Sequence, residues 1–197
     1  MNKIESLIAP QTKEFIKTCR KYFEYLETLP DKKITDFWGV QLNMLSEIYN
    51  GVFSLPEIEA RYSSDVDKFV NEKSYNKIFT SLLAYIGALD SFPDFSDLSH
   101  PGALKVMDVS LSEILTDVYQ EIKDFVLLYE TGTLENMNDA IAECAETFGQ
   151  YWGVKLLSAL RIMHVNLYQH RYAETKKTQQ LEIDIDEVIG DYDGEEE

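Results

Sequence analysis

Apolar residues recur at intervals of three and four along five stretches of this chain, and this spacing limits the possible folds more than any other feature of the sequence. An α-helix turns once in 3.6 residues, so the spacing places the apolar side chains on one helical face. The body of the chain shows no long strict alternation of apolar and polar residues, which a half-exposed strand would require. The sequence therefore predicts an all-α fold, a single-domain antiparallel helical bundle of about five main helices.

The first three predicted helices occupy the N-terminal half. One covers residues 10–29, with Pro10 in its first turn and a second proline after its last residue. Another covers residues 36–50, and a third passes through Phe69 and ends at Leu89. The stretch that follows, residues 91–102, contains two prolines and one glycine, which oppose a continued helix. We expect this stretch to be the longest loop.

The fourth predicted helix has the clearest boundaries. Ser110 and Glu113 form the S-x-x-E pattern of a capping box, in which each side chain satisfies a backbone N–H at the other position. Gly132 suits the residue just after the helix. The fifth helix begins near residue 133 or 134 and continues to about 172, either as one helix or as two with a bend at Gly149 or Gly153. Because residues 153–168 are apolar nearly all round, we expect this helix at the centre of the bundle.

Length and composition are consistent with one core. The chain has 197 residues, of which 45% are hydrophobic and 12% aromatic, and a chain of this size buries roughly two-thirds of its unfolded surface. Cys19 and Cys144 lie at apolar helical positions without disulfide or metal-ligand spacing, which indicates buried free thiols. The longest nearly apolar run, residues 82–89, is too short to cross about 30 Å of hydrocarbon. We expect a cytoplasmic protein with no membrane association.

The formal net charge of −17 is concentrated toward the C-terminus. Residues 182–197 carry nine acidic residues and no lysine or arginine. Such a charge repels the phosphates of nucleic acids and of anionic membranes, so we expect no nucleic-acid partner. We divide the chain into a helical bundle domain at residues 1–172 and an acidic C-terminal tail at residues 173–197.

Sequence motifs for the common enzyme classes are missing. The chain has no phosphate-binding G-x-x-x-x-G-K-[ST], no dinucleotide-binding G-x-G-x-x-G, no G-x-S-x-G and no H-E-x-x-H. Its three histidines are not preceded by glutamate at the spacing of a di-iron bundle. We therefore predict no metal site, no cofactor and no catalytic residue.

One polar cluster stands out on the fourth and fifth helices. Asp117, Glu121 and Asp124 share a helical face, and a row of polar residues every three positions winds around the otherwise apolar fifth helix. This row comprises Lys155, Ser158, Arg161 and His164. A buried guanidinium needs a carboxylate partner, so one interpretation is a structural ion-pair network around Arg161. On that interpretation Arg161→Ala would destabilise the fold by roughly 3–5 kcal/mol.

The alternative interpretation is a ligand site. Arg161 and His164 would then line a cleft in which an anionic ligand replaces one carboxylate, or in which the histidine acts as an acid or a base. The candidate ligand-binding residues are Asp117, Tyr119, Asp124, Trp152, Arg161 and His164. Small residues at 145, 149 and 153 indicate either close helix packing or a slot between helices. Trp38 and Trp152 fit core positions better than a binding platform.

Three segments of the chain resemble a known family: SEIYNG at 46–51, DVYQEIKDF at 117–125 and YWGVKLLSALRIMH at 151–164. They are similar to a family of uncharacterised bacterial proteins of about 200 residues that is known only as a domain of unknown function. The resemblance implies a bacterial, all-helical protein and no assigned activity, so it supplies no catalytic residues. Family members often carry a histidine before the Trp-Gly pair, where this chain has Tyr151.

The function itself stays open between two hypotheses. The first is a cytosolic protein-interaction or adaptor domain without catalysis, whose partner is another protein. The second is a protein, or an enzyme, that binds a small anionic ligand near Arg161 and His164.

The tail adds an alternation of apolar and acidic residues from Leu181 to Asp186, which is typical of an extended segment. Such a segment is either disordered or docks onto a groove or onto the sheet edge of a partner.

Overall fold

The computed structural model describes residues 3–29, 31–58, 61–63, 65–95 and 106–190. All five predicted helices are present, so the mostly all-α bundle is confirmed. In chain order the elements are α1 (Lys3–Leu7), α2 (Pro10–Glu27), α3 (Ile34–Val52), α4 (Glu72–Ile86), β1 (Ser91–Phe95), β2 (Val106–Ser110), α5 (Leu111–Glu130), α6 (Leu134–Thr147) and α7 (Gly153–Gly190).

The start of α4 differs from the prediction. Phe69 lies before the helix, which begins at Glu72 after the N-cap residue Asn71. The Asn71 side chain accepts a hydrogen bond from the Ser74 backbone, and the Ser74 hydroxyl accepts one from the Asn71 backbone. The backbone amides of Phe69 and Val70 are held by a carboxylate of α5. The apolar spacing predicts helix through this segment, but these hydrogen bonds hold it in a non-helical conformation.

The expected loop at 91–102 is also partly wrong. Residues 91–95 form β1, which pairs antiparallel with β2, while residues 96–105 lie outside the described part of the chain. Asp90 fixes the base of this hairpin: its side chain accepts hydrogen bonds from the Ser112 amide and the Ser110 hydroxyl, at 2.7 Å each. Ser110 also accepts a hydrogen bond from the Glu113 amide at 3.1 Å, which confirms the Ser110 half of the predicted capping box.

Helix α5 holds the central position that we expected of the C-terminal helix. Its buried residues lie around most of its circumference, and it packs against α2, α4, α6 and α7. Helix α7 packs on α3 and α5 through one side only, which is formed by Leu156, Ala159, Met163 and Leu167. Both tryptophans, Trp38 and Trp152, are fully buried, as predicted. The two cysteines are buried free thiols.

The bend in the last helical segment is a π-helical turn, Phe148–Trp152, which separates α6 from α7. It contains Gly149 and ends just before Gly153, the two glycines at which a bend was predicted. Helix α7 then continues through Gly190, so the backbone at 181–190 is helical and the extended segment indicated by the alternation is wrong for these residues. The division at residue 172 stays a prediction, and residues 191–197 lie outside the described part.

Gly149 within this turn and Gly153 directly after it should respond oppositely to alanine. The Gly153 amide donates to the Phe148 carbonyl, and a Cβ on Gly153 would lie 2.4 Å from that oxygen. Nothing lies within 4 Å of the corresponding position on Gly149. We expect Gly153→Ala to destabilise the protein by about 1–3 kcal/mol and Gly149→Ala to stabilise it by about 0.5–1 kcal/mol. Urea denaturation of the two variants checks the signs, and the same sign for both would contradict this account of the turn.

Candidate functional site

The structure does not bring the six candidate ligand-binding residues together. Because several helices surround α5, its polar residues face different neighbours: Asp117 faces α4 and α7, Tyr119 faces α2, and Asp124 faces the segment before α4. Arg161 and His164 are exposed on the outer side of α7. The expectation of one cluster on the facing sides of two helices is therefore wrong.

Asp117 is part of a small ion-pair network. It accepts a hydrogen bond from the Tyr75 hydroxyl at 2.6 Å and pairs with the ammonium of Lys155. Burial lowers the pKa of Lys155, but its bonds to Asp117 and Tyr151 outweigh burial and raise that pKa overall. Burial and the bond to Asp117 together raise the pKa of Tyr75. The network keeps Lys155 charged, so the cation that pairs with the predicted carboxylate is Lys155 and not Arg161.

Tyr119 belongs to a second network on the other side of α5. Its hydroxyl donates to Glu27 at 2.9 Å and accepts from the Lys123 ammonium at 3.0 Å, and Lys123 also pairs with Glu27. Burial raises the pKa of Glu27, but the bonds from Lys123 and Tyr119 outweigh it and lower that pKa. These contacts join α2 to α5. The sequence does not reveal them, because Glu27 is 92 residues away from Tyr119 along the chain.

Asp124 holds the segment before α4 in place. One carboxylate oxygen accepts hydrogen bonds from the amides of Phe69 and Val70, at 2.7 and 2.8 Å. The other oxygen is buried without a hydrogen-bond partner. Asp124 also lines a cavity of about 10 Å³, which is the size of one water molecule. Burial raises the pKa of Asp124 and that of the neighbouring Glu121. The position is structural, since the cavity is too small for an organic ligand.

Trp152 is a core residue. It is fully buried, and its indole N–H donates to the Thr147 hydroxyl at 3.1 Å. Its ring packs edge-on against Phe148. The indole thus stabilises the π turn and is not available to a ligand.

Arg161 pairs with the hairpin and not with α5. Its guanidinium donates to Asp94 of β1 at 2.6 Å, and its side chain is 52% exposed. The ring of His164 packs on that of Tyr168, with 4.6 Å between the centroids. The buried ion-pair centre that we expected at Arg161 is therefore wrong, because this position of α7 faces away from the core.

The exposure of Arg161 changes the expected effect of its removal. The guanidinium is half exposed, although the Asp94 side chain is only 16% exposed, and a pair in which water reaches the cation contributes about 1 kcal/mol. Arg161→Ala should therefore lower the free energy of unfolding by about 1 kcal/mol. Thermal and urea denaturation against the parent protein measure this difference. A loss of 3 kcal/mol or more would show that the guanidinium holds a buried charge after all.

The outer side of α7 carries a row of exposed apolar side chains. Its members are Val154, Leu157, Val165, Tyr168 and Tyr172. We call this row, with Arg161 and His164 among it, the outer face of α7. The guanidinium of Arg171 lies over the Tyr168 ring and the ammonium of Lys176 over the Tyr172 ring, at 5.5 and 5.0 Å from the centroids. The sequence shows that this helix is apolar nearly all round, and that pattern predicts a fully buried helix. In the structure one of its apolar sides is exposed instead.

Arg161 and His164 line neither the cavity beside Asp124 nor a larger one of about 510 Å³. The larger cavity lies between α6 and the residues that follow α3. Arg61 lies at this cavity and pairs with Glu143 and Glu146. Within the described ranges no group of three or more histidine, cysteine or acidic residues could hold a metal ion.

Comparison with known proteins identifies the family. A family model described as a domain of unknown function, DUF5063, matches residues 7–169. The chain belongs to this family. It is also similar to the crystal structure of protein BF1032 from Bacteroides fragilis, with 28% sequence identity and a TM-score of 0.69, over 81% of this chain and 93% of that one. Among curated proteins, none matches the chain significantly.

The family match covers the first part of α7 but not its C-terminal part. The DUF5063 model ends at residue 169, so it includes most of the outer face but not the last 21 residues of the helix. The family has no assigned function, and the match therefore leaves the function unknown. Among the described helices none is long and apolar enough to cross a membrane.

Proposed function

We propose that this protein is a non-catalytic protein-interaction domain of adaptor type and that the outer face of α7 is its docking surface. The observation that carries the proposal is the row of five large apolar side chains exposed along one side of a single helix. Single exposed apolar residues are normal on protein surfaces, but a contiguous row is typical of an interaction site.

The row is not needed for the fold. The opposite side of α7 supplies the core residues Leu156, Ala159, Met163 and Leu167, which are buried against the bundle. From Val154 to Tyr172 the outer face covers five turns, or about 27 Å. A partner helix could cover such a length, with apolar anchors spaced by three and four residues. The helix thus has one apolar side for its own core and a second one that a partner would bury.

The charges on and near α7 favour a protein partner over a small anion. Arg161, the cation proposed for an anionic ligand, is already paired with Asp94. The exposed aromatic rings Tyr168 and Tyr172 lie next to cations, which is the residue composition of many protein interfaces. For these reasons we favour the interaction function over a ligand site at Arg161 and His164.

A matched pair of substitutions tests the proposal. Leu157 on the outer face and Leu83 on α4 are exposed to similar extents, 46% and 39%. Neither Leu157→Asp nor Leu83→Asp should change the free energy of unfolding by more than about 0.5 kcal/mol. We expect the parent protein and Leu83→Asp to retain a bound protein, either another chain or a second copy, after mild purification from their host cell. The amount of bound protein should be at least tenfold lower for Leu157→Asp than for the parent. Equal retention by both variants would refute the proposal.

A further inference from the structure

The cavity of about 510 Å³ lies between α6 and the segment after α3, of which residues 53–58 and 61–63 are described. Its apolar walls are formed by side chains from both elements: Leu55, Pro56, Ile58, Ile141, Ala142 and Ala145. Ligand sites in proteins are typically clefts of about 300–1,000 Å³ with mostly apolar walls and a few polar groups. The size and the lining of this cavity therefore match a site for a small organic molecule.

Hydrogen bonds hold the wall opposite α6 in place. Directly after α3, the Leu55 amide donates to the Val52 carbonyl at 3.1 Å. Further along, the amides of Tyr62 and Ser63 each donate to the Asp139 carboxylate of α6 at 2.8 Å. The segment after α3 is thus fixed on both sides of the residues that line the cavity. A ligand would enter a preformed site without first ordering the chain.

The charged groups at this cavity are acidic in excess. Among the described residues that line it are two carboxylates, Glu57 and Glu146, and one guanidinium, that of Arg61. Arg61 pairs with Glu143 as well as with Glu146, and Lys68 pairs with Glu143. These three carboxylates and two cations carry a net charge of −1. An anionic ligand would have to displace a carboxylate from Arg61, whereas a cationic ligand would balance the excess charge.

We propose that this cavity binds a small organic cation, an ammonium group attached to an apolar alkyl or arylalkyl body. The body lies against the apolar walls, where its burial removes apolar surface of both molecules from water. The ammonium group pairs with the excess carboxylate charge of Glu57 and Glu146, and this attraction is stronger at an apolar cleft than in bulk water. The net charge of −17 also raises the local concentration of cations around the protein. None of the described lining residues belongs to α7, so this site is separate from the proposed docking surface.

Three probes with the same apolar body and different head groups test the class of ligand. They are phenylpropylamine, which is a cation at neutral pH, the neutral phenylpropanol and the anion phenylpropionate. NMR of the full-length protein labelled at its isoleucine methyl groups reports the site, because Ile58 and Ile141 line the cavity. We expect the amine to shift the signals of these two residues and to bind about fivefold more tightly than the alcohol, as one partly exposed ion pair allows. The carboxylate should bind more weakly than the alcohol.

The same titrations can overturn the proposal. Tighter binding of the carboxylate, or equal affinity for all three probes, would show that the cavity does not select a cation. No shift of Ile58 and Ile141 with any probe up to about 10 mM would show that the cavity is not a ligand site.

A matched pair of substitutions tests the location. Ala145 and Ala84 are both exposed, and of the two Ala145 lines the cavity. Ala145→Phe places a ring in the cavity and should weaken binding of the amine about tenfold, whereas Ala84→Phe on α4 should leave it unchanged. Equal affinity of these two variants for the amine would overturn the assignment to this cavity.

A further variant tests the role of charge. Glu57→Gln removes one carboxylate of the lining and should reduce the preference for the amine over the alcohol about threefold. An unchanged preference would contradict the pairing with the carboxylates. Leu157→Asp on the outer face of α7 should bind the amine like the parent, so this inference and the proposed function are tested independently.

Discussion

Replacing Asp124 by alanine should lower the free energy of unfolding by about 2–4 kcal/mol, one of the two largest effects that we expect. The side chain is buried and holds the amides of Phe69 and Val70. Alanine would leave both N–H groups without an acceptor, and each unsatisfied buried donor costs about 1–3 kcal/mol. Urea denaturation at neutral pH measures the loss. Asp124→Ala melting like the parent would show that the segment before α4 does not depend on this carboxylate.

Asparagine is the matched control at position 124. It keeps one oxygen as acceptor for the two amides and removes the charge. Burial raises the pKa of the Asp124 carboxyl above its ordinary 3.8 in the folded protein. An acid with a raised folded pKa favours folding below its unfolded pKa and loses that contribution as the pH rises through the folded pKa. Asp124→Asn should therefore be at least as stable as the parent at pH 7. Its advantage in the free energy of unfolding over the parent should be smaller at pH 4. A loss as large as that of alanine would contradict this account.

The second large effect concerns Lys155. Replacing it by methionine keeps the aliphatic stem but removes the cation that pairs with Asp117, whose side chain is only 10% exposed. A carboxylate buried without its partner destabilises the fold strongly. Because water reaches part of the Lys155 side chain, we expect a loss of about 2–3 kcal/mol, at the low end of such effects. Thermal and urea denaturation against the parent measure it.

A double variant separates the stranded charge from lost packing. Asp117→Asn removes the carboxylate that Lys155→Met leaves unpaired, while the amide oxygen can still accept from Tyr75. The combined Asp117→Asn/Lys155→Met protein should therefore be more stable than Lys155→Met alone. If the two losses simply add, the ion pair is not what stabilises this contact between α5 and α7.

The sequence predicted the helices well because their signals are local. Apolar spacing located α2, α3, α5 and the segment containing α6 and α7, and Ser110 marked the beginning of α5. Where the prediction failed, a contact distant in sequence was responsible. Phe69 is excluded from α4 by Asp124, 55 residues further along, and the hairpin base is held by Asp90, which bonds to Ser110 and Ser112. No spacing rule within one segment reveals such contacts.

The candidate site was harder to predict because it depends on which side of each helix is covered. Asp117 and Asp124 share a face of α5 in the sequence, yet different neighbours bind them. The apolar stretch of α7 predicts burial equally on both sides, and only the packing shows that Leu157 and Tyr172 are exposed. Arg161 was identified as important from its position, but its environment could not be derived from spacing alone.

Site-specific photo-crosslinking in living cells tests the proposed docking surface most directly. A benzoylphenylalanine at position 157, and another at Tyr168, would report any protein that lies against the outer face of α7. The same residue at position 83 on α4, which is also exposed, is the control. We predict a discrete protein adduct from positions 157 and 168 and none from position 83. No adduct at the two α7 positions, or equal adducts at all three, would contradict the proposal that this face binds a protein.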